Sequence, residues 1–164
     1  MSNNYRVRVY KENFDFSAGH FITFGGLCET LHGHNYRVEV QLTGENGPDR
    51  FLYNFSDLKP VVRDECANLD HRMLLAMKNP LLEYKESPDE IEVRFGSRRY
   101  LFPLAEVALL PVENTTAEEL AAYLLGRIRQ RLQAQKRPEL STLRSIEVGV
   151  EEQPGQMAYY AEYW

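Results

Sequence analysis

The 164-residue chain is poor in the residues that most often bind metals or carry reactive groups, with two cysteines and four histidines. It has no basic excess, because 19 Lys and Arg residues are set against 24 Asp and Glu, a formal net charge of -5. That balance argues against broad binding to nucleic-acid backbones, although one basic cleft for a small anion stays compatible with it. No apolar run reaches the length of a signal peptide or a membrane span. We therefore expect a cytoplasmic protein with reduced thiols and no structural disulfide.

No Gly/Ser linker, low-complexity block or internal repeat divides the sequence, so we expect one domain over residues 1–164. Alternation of apolar and polar residues predicts strands over residues 5–16 and 34–42, and again in "LRSIEVGVEE" and "MAYYAEYW". The glycine-containing stretch "FSAGHFITFGGLCETLHGH" is typical of a loop.

Two segments have helical spacing. The first begins at "FSDLKPVV", with Ser56 as its expected N-cap, and the second is "TTAEELAAYLLGRIRQRLQAQK", with Thr116 and Glu119 as a capping box. "EIEVRFGSRRYLFP" predicts a hairpin around Gly96 and Ser97. The order of elements favours an α+β fold, with an antiparallel sheet covered by helices.

The segment "CETLHGHNYRVEVQL" places His32 and His34 two residues apart at the mouth of a strand. Residues i and i+2 of a strand point to the same side, so these imidazoles can converge on one metal ion. A zinc site that keeps one position open needs a third ligand, for which His20, at the end of the preceding strand, is the obvious candidate. The alternative is that the two histidines are simply packed or solvated.

Four further residues can carry chemistry. Cys28 is either an inert buried thiol, the interpretation that suits Cys66 better, or a reactive thiolate whose pKa a nearby cation lowers. Asp70 and His71 form a catalytic pair only if the neighbouring side chains touch. Glu152 falls by parity on the inward face of its strand, where a carboxylate needs a partner, unless the strand end lies in solvent.

Taken together, "FDFSAGH", "CETLHGHNYRVEV", "YNFSDLK", "NLDHRML", "ENTTAEELA" and "VGVEEQPGQMAYY" resemble the 6-pyruvoyl-tetrahydropterin synthase / 6-carboxytetrahydropterin synthase family. The blocks keep the family order and cover nearly the whole chain, apart from an insertion at about 81–111. Two positions depart from the pattern. Gln153 replaces a common threonine, and Asn54 is a feature of the pyruvoyl-type branch. We expect the insertion, with its hairpin, to be a neutral surface decoration.

The resemblance implies the tunnelling fold, which we expect here as a four-stranded antiparallel sheet with two helices on one face. It implies Zn²⁺ held by His20, His32 and His34. It further implies proton transfer by Cys28 with Asp70 and His71, and a pterin ring anchored by Glu152. The resemblance also places Thr115 and Thr116 close to the pterin. Family members form trimers and then hexamers, with active sites at subunit interfaces.

The implied substrate is 7,8-dihydroneopterin triphosphate. Cys28 lies four residues before His32, which resembles the carboxy-type enzymes, so the favoured product is 6-carboxytetrahydropterin, with release of acetaldehyde and triphosphate, on the way to queuosine. A 6-pyruvoyl-tetrahydropterin synthase of the tetrahydrobiopterin type is the first alternative. A non-catalytic pterin-binding protein and a three-histidine zinc hydrolase are the others.

Overall fold

The computed structural model describes residues 4–164 of the chain. Within that range the α+β prediction is confirmed. The helices are α1, Phe55–Ala67, and α2, Ala117–Ala134, with short 3₁₀ turns at Leu104–Glu106 and Pro138–Thr142. In chain order the strands are β1 Tyr5–Val9, β2 Asp15–His20, β3 Thr23–Phe24, β4 Leu27–Cys28, β5 His32–Gly44, β6 Arg72–Ala76, β7 Glu83–Glu86, β8 Glu90–Phe95, β9 Arg98–Pro103, β10 Val107–Leu110, β11 Leu143–Gln153 and β12 Gln156–Tyr163.

The main sheet has seven strands in the described chain, ordered β10-β6-β2-β5-β11-β12, with β1 also paired to β5. The expected four-stranded antiparallel sheet is therefore wrong in strand number and in direction, since β6 runs parallel to both β2 and β10. Their sequences, "RMLLA" and "VALL", are short apolar runs without alternation. Such runs are typical of buried parallel strands, and periodicity does not distinguish them from helix or loop.

The segment expected to be a loop contributes to two central strands instead. β2 continues through His20 and β5 begins at His32, and the two strands pair antiparallel with Gly19 opposite Gly33. A Cβ at Gly33 would lie 3.0 Å from the Ala18 carbonyl oxygen, so glycine permits the close approach of the two backbones. Between these two strands the chain forms the short β3–β4 hairpin. The single strand predicted over residues 5–16 is also divided, into β1 and β2.

Both helices cover one face of the main sheet. The inward positions predicted for β5, Tyr36, Val38, Val40 and Leu42, are all buried against them. The N-cap prediction for α2 is confirmed, because the Thr116 hydroxyl accepts from the Glu119 amide at 3.4 Å. The cap of α1 is Asn54 rather than Ser56, since the Asn54 Oδ1 atom accepts from the Ser56 amide at 2.9 Å. Neither helix is long and apolar enough to cross a membrane.

The predicted hairpin at Gly96 is confirmed as β8–β9, and β7 adds a third antiparallel strand that the sequence analysis missed. We call β7, β8 and β9 the inserted sheet. Its buried Ile91 and Val93 form a second apolar cluster with residues of β6 and β10 and with Phe21, which follows β2, and Cys28, which ends β4. This cluster places the inserted sheet next to the segment that carries the histidines.

Candidate metal centre and active site

Three histidines converge at one end of the main sheet. His20 ends β2 and is paired directly with His32, the first residue of β5, while His34 follows two residues later on the same face. One ligating nitrogen from each ring lies within 4.8 Å of the others. The convergence expected from the spacing in the sequence is therefore present, and the pairing of β2 with β5 supplies the third histidine.

Hydrogen bonds fix the tautomers of two of these rings. The His20 Nδ1 atom is 3.0 Å from the Thr115 carbonyl oxygen, and the His32 Nδ1 atom is 2.8 Å from the Thr30 carbonyl oxygen. Because a carbonyl only accepts, each Nδ1 donates its hydrogen, and in the neutral form of the ring the lone pair then lies on Nε2. Full burial lowers the pKa of His20 to about 4, so its imidazole is neutral near pH 7.

The donor set suits a divalent transition metal such as zinc. Three imidazoles are a usual set of protein ligands for a catalytic zinc site, although iron, cobalt and copper also accept them. The Tyr36 hydroxyl lies 3.2 Å from both ring nitrogens of His20. Burial raises the Tyr36 pKa far above its ordinary value, so this group stays a neutral hydroxyl.

Two carboxylates border the histidine cluster. The Glu152 Oε1 atom is 3.6 Å from His20 Nε2 and 3.7 Å from His34 Nε2. The inward position expected for Glu152 is thus the one it takes, although the register of β11 against β12 shifts between Glu151 and Gln153. On the other side, the Glu29 Oε2 atom lies 3.9 Å from His32 Nε2. Glu29 was not predicted from the sequence, where its only signal is its place between Cys28 and His32.

Cys28 is buried in the second apolar cluster, beneath the inserted sheet. Its thiol contacts its neighbour's carbonyl oxygen, 3.5 Å from Sγ. The cation expected near Cys28 is Arg98, but burial outweighs it and raises the thiol pKa overall. The proton-transfer role that the family resemblance implies for Cys28 stays a prediction, and Glu29 is a competing candidate for that role. Cys66 is buried in α1 with a pKa raised to about 12, as suits an inert thiol.

Asp70 and His71 touch, with His71 Nδ1 2.8 Å from Asp70 Oδ2. The other carboxylate oxygen, Oδ1, accepts from the Ser17 amide at 2.8 Å, a bond that lowers the Asp70 pKa. The His71 side chain is 82% exposed. The pair borders an open cavity of about 440 Å³ together with Asn35 and Arg37, whose side chains alternate with those of His34 and Tyr36.

The acid–histidine pair and the three histidines therefore lie on opposite faces of the β2–β5 ladder. A larger cavity, of about 530 Å³, is lined by His71, Gly19 and Gly33, and of the three clustered histidines only His34 borders it. One chain alone does not bring the Asp70–His71 pair beside the His20–His32 side of the cluster.

The paired threonines make contacts within the chain. Thr115 is buried, and besides receiving the His20 hydrogen bond at its carbonyl it donates its hydroxyl to the Phe21 carbonyl at 3.2 Å. The Thr116 hydroxyl caps α2. Their expected proximity to a pterin stays a prediction, while the structure gives Thr115 a clear part in orienting His20.

We expect purified protein to bind one zinc ion per chain through the three histidines. His32→Ala should lower the zinc affinity by more than about 100-fold, because loss of outer hydrogen-bond partners alone costs 10- to 100-fold. His32 suits the test because its side chain is 40% exposed, so its removal leaves no buried cavity. Competition with a chromophoric chelator measures the affinity. The matched control is His71→Ala on the opposite face, and equal affinities in the two variants would contradict the site.

Comparisons with known proteins agree with this geometry. The family model described as 6-pyruvoyl tetrahydropterin synthase matches residues 8–163. A Methanocaldococcus jannaschii protein provisionally named 6-carboxy-5,6,7,8-tetrahydropterin synthase is 34% identical over 90% of each chain. The Bacillus subtilis 6-carboxy-5,6,7,8-tetrahydropterin synthase is 32% identical, over 69% of this chain and 65% of its own length.

Among solved structures, 6-pyruvoyl tetrahydropterin synthase from Plasmodium vivax superposes with a TM-score of 0.93 at 30% identity, over 99% of this chain and 100% of the other. Two further P. vivax structures carry alanine or cysteine in place of a glutamate described as a catalytic residue. The agreement in fold extends over almost the entire chain, the inserted sheet included. The chain belongs to the 6-pyruvoyl tetrahydropterin synthase family, whose members are lyase-type enzymes with the tunnelling fold.

Proposed function

We propose that this protein is a zinc-dependent lyase that converts 7,8-dihydroneopterin triphosphate and water to 6-carboxy-5,6,7,8-tetrahydropterin, acetaldehyde and triphosphate, a step toward queuosine. The observation that carries the proposal is the cluster of three histidines flanked by two carboxylates. Two relatives, each from a different organism, are named 6-carboxy-5,6,7,8-tetrahydropterin synthase, which supports this product over the 6-pyruvoyl one. The cytoplasmic location stays a prediction.

The histidines and carboxylates divide the work as follows. His20, His32 and His34 would hold zinc, which when bound supplies a Lewis acid that lowers the pKa of the substrate's side-chain hydroxyls. Glu152, on the His20 and His34 side, accepts hydrogen bonds from the amino and ring N–H groups of the pterin, which present two donors side by side. Glu29, on the His32 side, lies where a proton from the side chain can be taken up and returned.

The Asp70–His71 pair needs a second copy of the chain to reach the same substrate. It is exposed, its carboxylate is ionised and oriented by the Ser17 amide, and it lies on the face opposite the histidine cluster. An active site shared between subunits of a homo-oligomer, the trimer or hexamer implied by the family, resolves this arrangement. In that assembly the pair of one subunit acts as the second proton relay for the substrate of its neighbour.

The product distinguishes the candidate activities. We expect zinc-loaded protein given 7,8-dihydroneopterin triphosphate to release acetaldehyde in a 1:1 ratio with a 6-carboxy pterin, measured by mass spectrometry with a carbonyl trap. A 6-pyruvoyl product without acetaldehyde would contradict the proposed cleavage and favour the activity named for the P. vivax relative. Tight binding of the pterin without conversion would favour the non-catalytic alternative.

We expect Glu29→Gln to lower kcat at least about 100-fold, because general-base groups contribute roughly 10²- to 10⁴-fold. Cys28→Ala should lower kcat less than Glu29→Gln does, because burial raises the pKa of this thiol and disfavours its thiolate form. Zinc content is measured in each variant to show that the site is retained. The matched control is Glu151→Gln, whose carboxylate lies on the opposite face beside Arg37.

The reverse pattern, an inactive Cys28→Ala enzyme and an active Glu29→Gln enzyme, would return the proton-transfer role to the cysteine, as the family resemblance implies. The assignment to Glu29 draws support from the P. vivax relative, in which a glutamate is described as catalytic.

A further inference from the structure

The inserted sheet reaches the candidate active site through one side chain. Arg98, the first residue of β9, directs its guanidinium at two successive carbonyl oxygens, with Nη2 2.5 Å from Cys28 O and Nη1 3.0 Å from Glu29 O. The Phe95 ring lies under the same guanidinium, 5.2 Å from its central carbon. Arg98 thus packs on its own hairpin while it donates hydrogen bonds to the segment that precedes His32.

Residues 28–30, to which Arg98 donates, carry two elements of the candidate site. Glu29 presents its carboxylate to His32, and the next carbonyl along the chain, that of Thr30, accepts the hydrogen of His32 Nδ1. The position of residues 28–30 therefore sets both the nearest carboxylate and the orientation of one metal-site imidazole. This segment is tied to the residues that follow β2 by the pairing of Cys28 with Thr23 in the β3–β4 hairpin and by the Glu29 amide, which donates to the Ile22 carbonyl at 2.9 Å.

The remaining arginines of the hairpin serve the inserted sheet itself. Arg94 and Arg99 both contact the Glu92 carboxylate, each at 2.5 Å from a different oxygen. A second contact ties the inserted sheet to the metal-site strand, because Tyr100 stacks on Phe21, the residue after His20, with ring centroids 5.3 Å apart. The inserted sheet therefore contacts both the residue that follows His20 and the segment that precedes His32.

We propose that Arg98 is a positioning residue for the candidate active site, and that the inserted sheet exists in this chain to hold residues 28–30 rather than as a neutral decoration. Arginine suits the task because its planar fork presents two donors to two adjacent carbonyls, whereas lysine is a single flexible point charge. The proposal deepens the proposed function, on which its kinetic readout depends, but its structural readout is independent of any metal or substrate.

The test compares Arg98→Gln and Arg98→Lys with Arg94→Gln, a control in the same sheet that loses only a contact to Glu92. Hydrogen exchange of the metal-free proteins, followed by mass spectrometry on peptides covering residues 22–36, should be about tenfold faster in Arg98→Gln and unchanged in the control. Zinc affinity should fall about tenfold in Arg98→Gln, within the range for loss of an outer-shell partner, and less in Arg98→Lys. A lower kcat with little change in KM should accompany it.

The proposal would be overturned if Arg98→Gln had the same hydrogen-exchange rates and the same zinc affinity as the unaltered protein. Equal changes in Arg98→Gln and Arg94→Gln would also overturn it, because they would show general loosening of the inserted sheet. If the unaltered protein failed to bind zinc, the proposed function would lose its metal, and the exchange of the metal-free variants would still decide the role of Arg98.

Discussion

The pairing of β2 with β5 is the constraint on which the candidate site depends. His20 and His34 are 14 positions apart in the chain, and only the antiparallel register that sets Gly19 against Gly33 brings His20 beside His32. A slip of β2 by one residue would turn His20 to the face opposite His32 and His34. The same register buries Phe16 and Tyr36 in a stacked pair beneath the histidines, so the hydrophobic core and the metal-site geometry are specified together.

The surroundings then prepare each ring for its role. Thr115 comes from the start of α2 and Thr30 from the turn before β5, yet both offer a carbonyl to an Nδ1 atom and leave Nε2 free. Burial in the interior keeps His20 neutral, which costs little for an imidazole and would be expensive for a charged ligand. The carboxylates remain at the rim, where Glu152 and Glu29 are partly exposed and able to meet a substrate.

Much of this arrangement could be predicted from the sequence. The alternation in β5 identified the inward face, and the HxH spacing identified two ligands, because both follow from the two-residue period of a strand. The cap of α2 was equally local. The features that were not predicted depend on residues far apart in the chain or on their surroundings. The parallel strands β6 and β10 have no alternation to reveal them, and the glycines typical of a loop proved to serve a close backbone approach. Asn54 preceded the predicted cap at Ser56 by two residues, a shift that only hydrogen bonding decides.

The roles of Cys28, Glu29 and Arg98 could not be ranked from the sequence because burial decides them. Adjacent residues in a short strand and turn point to different sides, so Cys28 enters an apolar cluster while Glu29 turns to His32. Arg98, which donates to the backbone of this segment, is 69 residues away from Glu29 along the chain. Likewise, nothing local indicates that Asp70 and His71 lie on the face opposite the histidines.

The most direct test of the account is X-ray absorption at the zinc edge of the metal-loaded protein. We expect three nitrogen ligands at about 2.0–2.1 Å, completed by oxygen, with scattering from the outer atoms of the imidazole rings and no sulfur. A sulfur ligand at about 2.3 Å would contradict it, because Cys28 would then have to leave the apolar cluster and join the metal site.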